Sequence, residues 1–437
     1  MSRDRSRLGL LLDRDFRRLF AATTVSQFGY QVSFLALPLV AVETLAVNEF
    51  EVGILTALTT AAFLLVGLPA GAWVDRMRRR RVLIAGDVGR AILLATVPAA
   101  WWAGMLTLWQ LYAVALLHGI LTVFFDVAYQ SYLPHLVGRA NLVEGNSRLE
   151  SVRALSHVGG PGAAGSLIQV VTAPVALLAD AVALALSAVF VVRITKREER
   201  PHRPDTHLVR DIGEGLRFVL GHRLLRSIAA CTSTANLCSA ATGAMVIFFL
   251  RRDLGLGAGV IGLVLSVAGI GGVVGALVAR RFAAWVGQGP AIWLSVCCTA
   301  PFALLLPLAE PGWRIWLAAA GGAVFAVGVV VYNVTQVSFR QAVTPDHLLG
   351  RMNATMRFLV WGTQPIGGIL GGVLGSAVGA RTTLVIGAVG GSLAFLPVLL
   401  SPLRTMRELP SGPENHLEDL LEEQVVERIE RRRSERS

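Results

Sequence analysis

The sequence predicts an all-α membrane protein with twelve transmembrane helices in two six-helix, pseudo-symmetric bundles. Three observations predict it. Apolar runs of membrane-spanning length recur along the chain, arginines cluster between alternate runs, and motifs of the first half return 204 to 212 residues later. Of the 437 residues, 54% are hydrophobic and only 16% charged, against roughly 25% charged in soluble domains. So few charges do not cover the surface of a soluble chain this long.

A span needs about 20 mainly apolar residues. Runs of that kind lie near 19–42, 52–74, 82–102, 106–132, 148–172 and 174–193, then near 224–250, 258–284, 288–309, 313–338, 353–379 and 382–403. The expected organisation is a cytoplasmic segment 1–18, a six-helix bundle 19–193, a cytoplasmic linker 194–223, a second bundle 224–403 and a cytoplasmic tail 404–437. Residues 205–223 read as an amphipathic helix on the inner leaflet. In the tail, 416–433 places Leu417, Leu421, Val425 and Ile429 on one helical face. The first 18 residues hold six arginines and three aspartates, and the apolar run after them is too long for a signal peptide.

Basic loops mark the cytoplasmic side. Arginines crowd the amino terminus, the second loop (Arg76, Arg78, Arg79, Arg80, Arg81), the fourth (Arg139, Arg148), the linker, the eighth (Arg280, Arg281), the tenth (Arg340, Arg351) and the tail. Odd loops have few; the exceptions are Arg251, Arg252, Arg314 and Arg381. Both termini are therefore expected in the cytoplasm, with an even number of spans in a cell membrane. The net charge of +11 belongs to these loops, so nucleic acid is not an expected partner. Cys231, Cys238, Cys297 and Cys298 all lie in apolar stretches without a metal-ligand pattern.

The repeat shows in motifs. Gly71-Ala-Trp-Val-Asp75-Arg76 follows the second run, and Gly275-Ala-Leu-Val-Ala279-Arg280 follows the eighth. Pro134…Gly138-Arg139-Ala-Asn141 and Pro345…Gly350-Arg351-Met-Asn353 follow the fourth and tenth. Pro161 and Pro365 each lead into small-residue runs. Two six-span halves in parallel repeat form a known transporter plan.

On these residues the chain resembles the major facilitator superfamily over nearly its whole length. Gly71-x-x-x-Asp75-Arg76-x-Arg78-Arg79-Arg80-Arg81 is similar to the family signature after the second helix, with Arg78 where glycine is usual. Arg14-Asp-Phe-Arg17-Arg18-Leu-Phe, Gly215-Leu-Arg-Phe-Val and the Pro345–Asn353 loop resemble the branch containing the enterobactin exporter and macrolide efflux proteins. That branch often carries an acid after the first-helix glycine; here Tyr30 follows Gly29. The resemblance implies a conformational latch at Gly71, Asp75 and Arg76 or Arg79. A carboxylate at a helix end can cap a neighbouring helix and accept from arginine.

Ionisable groups inside spans are candidate functional sites. Asp126 is a candidate for the latch cluster or for carrying a proton. Asp87 and Arg90, three apart, share a helix face and read either as a self-neutralising pair or as charge sites. His118 is a proton-site candidate, with a packing role as the alternative. Arg153, His157, Asp180 and Arg357 are lesser candidates, Asp180 for outward-side gating. A midplane cavity between the halves would be lined by Gln27, Tyr30, Gln31, Phe34, Asn236, Tyr332, Asn333 and Gln336, although the polar stripe on the first helix suits interhelical hydrogen bonding equally.

The expected function is secondary active export of an amphipathic small molecule by alternating access, energised by a proton gradient, without cofactor or metal, and by a monomer in the lipid bilayer. The glycine runs lack the basic residue and strand context of a phosphate loop, so no ATP site is expected. An importer or facilitator on the same fold, and a non-transporting receptor or sensor, are the alternatives. A membrane enzyme would need a catalytic cluster that the sequence does not present.

Overall fold

Apolar runs in a bilayer have no water to satisfy their backbone, so each closes its hydrogen bonds internally as a helix. The protein's structure is a computed structural model. It describes residues 9–138, 141–196, 198, 208–345 and 348–407, apart from the side chains of Leu68, Ala72, Asp75, Val143 and 208–212. The expected tail helix at 416–433 lies outside the described residues.

The first half comprises α1 (Arg14–Leu39), α2 (Glu49–Asp75), α3 (Arg79–Trp102), α4 (Leu108–Val137), α5 (Leu142–Val171) and α6 (Ala173–Val192). The linker forms α7 (Leu208–Gly221). The second half comprises α8 (Arg223–Phe248), α9 (Ala258–Val286), α10 (Gln288–Thr299, continued by a 3-10 turn to Leu305) and α11 (Ile315–Ala342). It ends with α12 (Leu349–Trp361) and α13 (Thr363–Val378), which together make one crossing, and α14 (Ala380–Ser392) with α15 (Leu396–Leu399), which make the last. Among the described residues, eleven helical segments are long and apolar enough to span a membrane. The twelfth crossing is α5, whose 30 residues include Glu144, Arg148, Glu150 and Arg153 and so dilute its hydropathy.

Local chemistry sets the breaks. Proline lacks an N–H and its ring crowds the carbonyl four residues back. Pro365 accordingly divides the eleventh crossing at Gly362, and Pro397 interrupts the twelfth near Leu393. The fourth helix runs five residues further than the sequence suggests, through Pro134 to Val137, and ends at Gly138 with φ +76°. Asn48 and Glu51 form a capping box that starts α2. The equivalent helices α1 and α8 both finish in π-helical turns, Val40–Thr44 and Phe249–Asp253.

After six crossings the chain returns to the face where it began. Thr195 and Lys196 donate backbone N–H groups to the Asp15 carboxylate at 3.0 and 2.9 Å. Lys196 Nζ donates to Leu136 O at the carboxyl end of α4. After the last crossing, Gln288 and Gly289 N–H groups donate to the carbonyls of Arg407 and Met406. Both ends of the described chain thus lie on one terminus face. In the linker helix, Val219 is buried and Gly215 fits against Arg351 and Thr355, with Glu214 paired to Arg351. One side of α7 is therefore docked on α12, while Leu216 and Leu220 stay exposed.

The halves meet along two seams, α2 with α13 and α5 with α9. Both depend on glycine. A Cβ on Gly53 would lie 2.5 Å from Gly372 Cα, and one on Gly165 would lie 3.0 Å from Gly262 Cα. Gly162 N–H crosses the second seam to Ser266 Oγ at 2.8 Å. The contacts stop near mid-helix, at Phe63–Trp361 (ring centroids 4.6 Å apart) in one seam and at His157–Gly269 in the other. On the terminus side, Cβ atoms at Gly67 and Gly71 would meet nothing within 4 Å. Hydrophobic packing follows the same division. One continuous core joins the two halves at the far face, whereas the terminus side has a separate core in each bundle. The molecule is sealed at the far face and parted at the terminus face.

The four exceptional arginines are held at that far face. Arg251 Nε lies 2.6 Å from Glu43 Oε1, joining the two π-helical turns across the halves. Arg252 donates to Val47 O and lies over the Phe248 ring. Arg314 pairs with Glu310, and Arg381 lies over Phe249. Gly165→Leu cannot fit against Gly262 and is expected to open the far-face seam. In a protein with its four cysteines replaced and Leu55→Cys as reporter (2% exposed), labelling by an impermeant thiol reagent from the far face should rise several-fold. Unchanged labelling would rule out the seal.

Candidate functional site

Burying a charge in apolar surroundings requires a partner. The first bundle meets this with a compact cluster. Arg90 Nη2 donates to Asp87 Oδ1 at 2.6 Å, and Ser187 Oγ donates to Asp87 Oδ2 at 2.6 Å. Arg90 also donates to Gly86 O and Thr122 Oγ1, and its guanidinium lies 4.3 Å from the centroid of the Phe125 ring. Asp87 is fully buried and Arg90 nearly so. Their geometry is that of a self-neutralising pair tying α3 to α4 and α6. His118 is partly buried one turn before Thr122, whose hydroxyl donates to its carbonyl.

Asp126 differs. It makes no hydrogen bond or ion pair among the described residues, and it lies within electrostatic reach of Arg90, Arg153 and Arg357. Arg153 projects from α5 and Arg357 from α12 in the opposite bundle, and both are exposed. Tyr30 lies within reach of the Asp126 and Arg153 charges and is 46% exposed; Phe34, with its ring centroid 6.3 Å from that of Tyr30, is 49% exposed. Tyr30, Asp126 and Arg153 of the first bundle and Arg357 of the second thus share one electrostatic neighbourhood across the parted halves, with Phe34 beside Tyr30. Gln27 is half-buried and Asn333 exposed.

Three of the expected cavity residues, Tyr332, Gln336 and Gln31, are buried within a bundle, while Asn236 is half-buried. Tyr332 is a correction: it is buried in the second bundle, its hydroxyl 2.5 Å from Thr232 Oγ1. Gln336, one turn further along α11, is buried on the same face and is corrected likewise. Helical periodicity places residues on a common face but does not say which neighbour that face meets. Gln31 is buried, with Nε2 3.2 Å from His157 Nδ1, and Asn236 Nδ2 donates to Val360 O. Both link helices within a bundle. The sequence pattern underrated Arg153 and Arg357, because single arginines on long helices resemble snorkelling residues until the bundles are assembled.

Around the loop expected to form the latch, the described residues make other contacts. The amino terminus of α3 is capped by Glu198 of the linker, whose Oε1 and Oε2 accept from the Arg79 and Arg80 N–H groups at 3.0 and 3.2 Å. Arg80 donates to the carbonyls of Val191 and Val192, capping α6. Arg76 is exposed, and the Asp75 side chain lies outside the described part. At the far face, a cavity of about 190 Å³ is lined by Ala46, Asn48, Glu49, Phe248, Arg252 and Asp253. Among the described residues no three His, Cys, Asp or Glu side chains converge as a metal site.

Among the described residues, eleven spans with α5, two glycine-bearing seams and charged side chains between the repeated bundles suit a membrane transporter. A family model described as Major Facilitator Superfamily matches residues 19–368. The chain belongs to that superfamily. It is therefore a multi-span membrane transporter and not an enzyme. Among its relatives, the multidrug efflux pump Tap of Mycolicibacterium fortuitum is 29% identical over 408 residues, covering 90% of this chain and 96% of the relative. The enterobactin exporter EntS of Escherichia coli O1:K1 / APEC is 25% identical over 414 residues, covering 90% and 94%. The resemblance to the enterobactin-exporter branch holds. Solved structures share the fold. The nucleoside transporter NupG (D323A mutant) matches with a TM-score of 0.71 at 14% identity, covering 88% of this chain and 99% of that one. A bacterial homologue of the iron transporter ferroportin in its inward-facing state matches with a TM-score of 0.69 at 14% identity, covering 88% and 98%.

Two predictions follow from these ion pairs. Arg90→Leu leaves Asp87 buried without its partner and should cost about 3–5 kcal/mol, read as a fall in the melting temperature in detergent. Asp87→Leu combined with Arg90→Met should recover most of the loss. Glu43→Arg or Arg251→Glu should each raise far-face labelling of the Leu55→Cys reporter, and the combined charge swap should lower it again.

Proposed function

We propose that this transporter exports an amphipathic small molecule, such as a drug, antibiotic or siderophore-like metabolite, in exchange for protons. The terminus face is cytoplasmic, as the arginine-rich loops on that side favour. The arrangement is then inward-open, with Tyr30, Phe34, Asp126, Arg153 and Arg357 accessible to cargo from the cytoplasm. Aromatic rings beside isolated charges suit molecules with apolar bodies and polar groups.

Alternating access follows from the two seams. Rocking the bundles about their midpoints would separate the far-face glycine contacts and bring the parted ends together, exposing the same cavity to the other side. The observation that carries this reading is the asymmetry of the seams: the halves are tightly packed beyond Phe63–Trp361 and His157–Gly269 and parted before them. The efflux and exporter relatives favour the outward direction.

The test uses everted membrane vesicles with an acidic lumen and a panel of amphipathic compounds, including ethidium and a catecholate siderophore. Accumulation should rise several-fold with the gradient and collapse on adding a protonophore. Accumulation indifferent to the gradient would remove proton coupling, and release of preloaded compound on energisation would reverse the direction.

A further inference from the structure

Among the described membrane-crossing helices, four acids lie about two turns or more from a helix end: Asp87, Asp126, Glu150 and Asp180, all in the first bundle. Between Asp253 and Asp346 the second bundle carries one acid, Glu310, at the far-face end of its helix pair. Three of the four have compensating charge. Asp87 is paired with Arg90. Asp126 lies within reach of three arginines. Glu150 is 71% exposed and 3.7 Å from Arg153.

Asp180 has only Arg90 within reach, already paired with Asp87, whereas Asp126 also has Arg153 and Arg357. Asp180 is 1% exposed on α6. Oδ2 lies 2.5 Å from Ser33 Oγ on α1, and Oδ1 is buried without any hydrogen-bond partner. Oδ1 faces the backbone of Gly29, so closely that a Cβ there would collide with it and would come within 2.7 Å of Ala183 Cβ. The charged groups within its electrostatic reach are Arg90 and Asp87 on α3, already engaged with each other. From α1 the titratable neighbour is Tyr30, and α5 presents none within that reach. A bare carboxylate in such surroundings carries a large desolvation cost, which one hydroxyl does not offset.

We propose that Asp180 is the proton carrier of this transporter, held as a neutral carboxylic acid while the far face is sealed. The inference rests on the proton-exchange reading above and names its site. The Ser33 contact serves both states, since a hydroxyl donates to a carboxylate and accepts from a carboxylic acid. When the proton leaves to water, Oδ1 becomes a charged oxygen against a helix backbone. That charge is relieved by α1 moving away from α6 or by water entering between them. Helix α1 carries Gly29 and Ser33 on the side facing Asp180, and Tyr30 and Phe34 on the side facing the cavity. Proton release and cavity shape are thereby linked through one helix.

The test is infrared difference spectroscopy on the purified full-length protein, so it needs no substrate. A protonated carboxylic acid carbonyl band should be present at neutral pH in the parent. It should be absent in Asp180→Asn and retained in Asp87→Asn and Asp126→Asn. Asp180→Glu, which keeps the acid, should move the band without abolishing it and covers the case in which Asp180→Asn fails to fold. Opening the far face with Gly165→Leu should diminish the band several-fold. A parent without the band, or a band surviving in Asp180→Asn, overturns the assignment. A band unchanged by Gly165→Leu and by pH makes Asp180 a fixed structural acid and overturns the carrier role. If the spectra behave as expected while gradient-driven accumulation fails in the vesicle assay, the proton-exchange reading fails and the neutral acid stands.

Discussion

The close approach of backbone to backbone at Gly53–Gly372 and Gly165–Gly262 is the constraint on which the rest of the arrangement depends. In lipid there is little hydrophobic drive between helices, so close contact of small residues supplies the association. Two such contacts, one on each side of the pseudo-symmetric pair of bundles, close the far face over the length of half a helix. They set where the core is continuous and where it divides, and they leave the midplane charges open to the terminus side. A side chain at either glycine would hold the bundles apart.

The first bundle is the charged one. It carries Asp87, Arg90, Asp126, Arg153 and Asp180, while the interior of the second bundle contributes Arg357 to the cavity. A rigid pair, Asp87–Arg90, fixes α3 against α4 and α6. Around it lie an acid open to the cavity and an acid sealed behind α1. The same residue type thus has three environments: paired, half-buried among arginines, and buried without a paired counter-charge. Differences of this kind divide structural from mobile charge in an apolar medium.

Sealing the far face also explains why arginines occur there against the general charge bias. Arg251, Arg252 and Arg381 each have a partner in the closed arrangement: a carboxylate, a carbonyl or an aromatic ring. The π-helical turns at Val40–Thr44 and Phe249–Asp253 bring the Glu43 and Arg251 ends together. Such turns recur at functional positions in helices, and here they stand at equivalent places in both repeats.

The sequence by itself determined the membrane class, the crossings, the repeat and the family, because each rests on local properties: run length, loop charge and motif spacing. It also picked out Asp87–Arg90 as a pair, since three-residue spacing fixes a shared helix face. Which face meets which neighbour was decided only by the tertiary structure. Periodicity gave Tyr332 and Gln336 the same standing as Tyr30 and Phe34, yet packing buried the first two within a bundle and exposed the others between bundles. Glu198, distant in sequence from α3, became its cap, and Gly29 proved to be the surface on which Asp180 rests. These are long-range contacts, and a one-dimensional pattern carries the period of a helix but not the identity of what lies across from it.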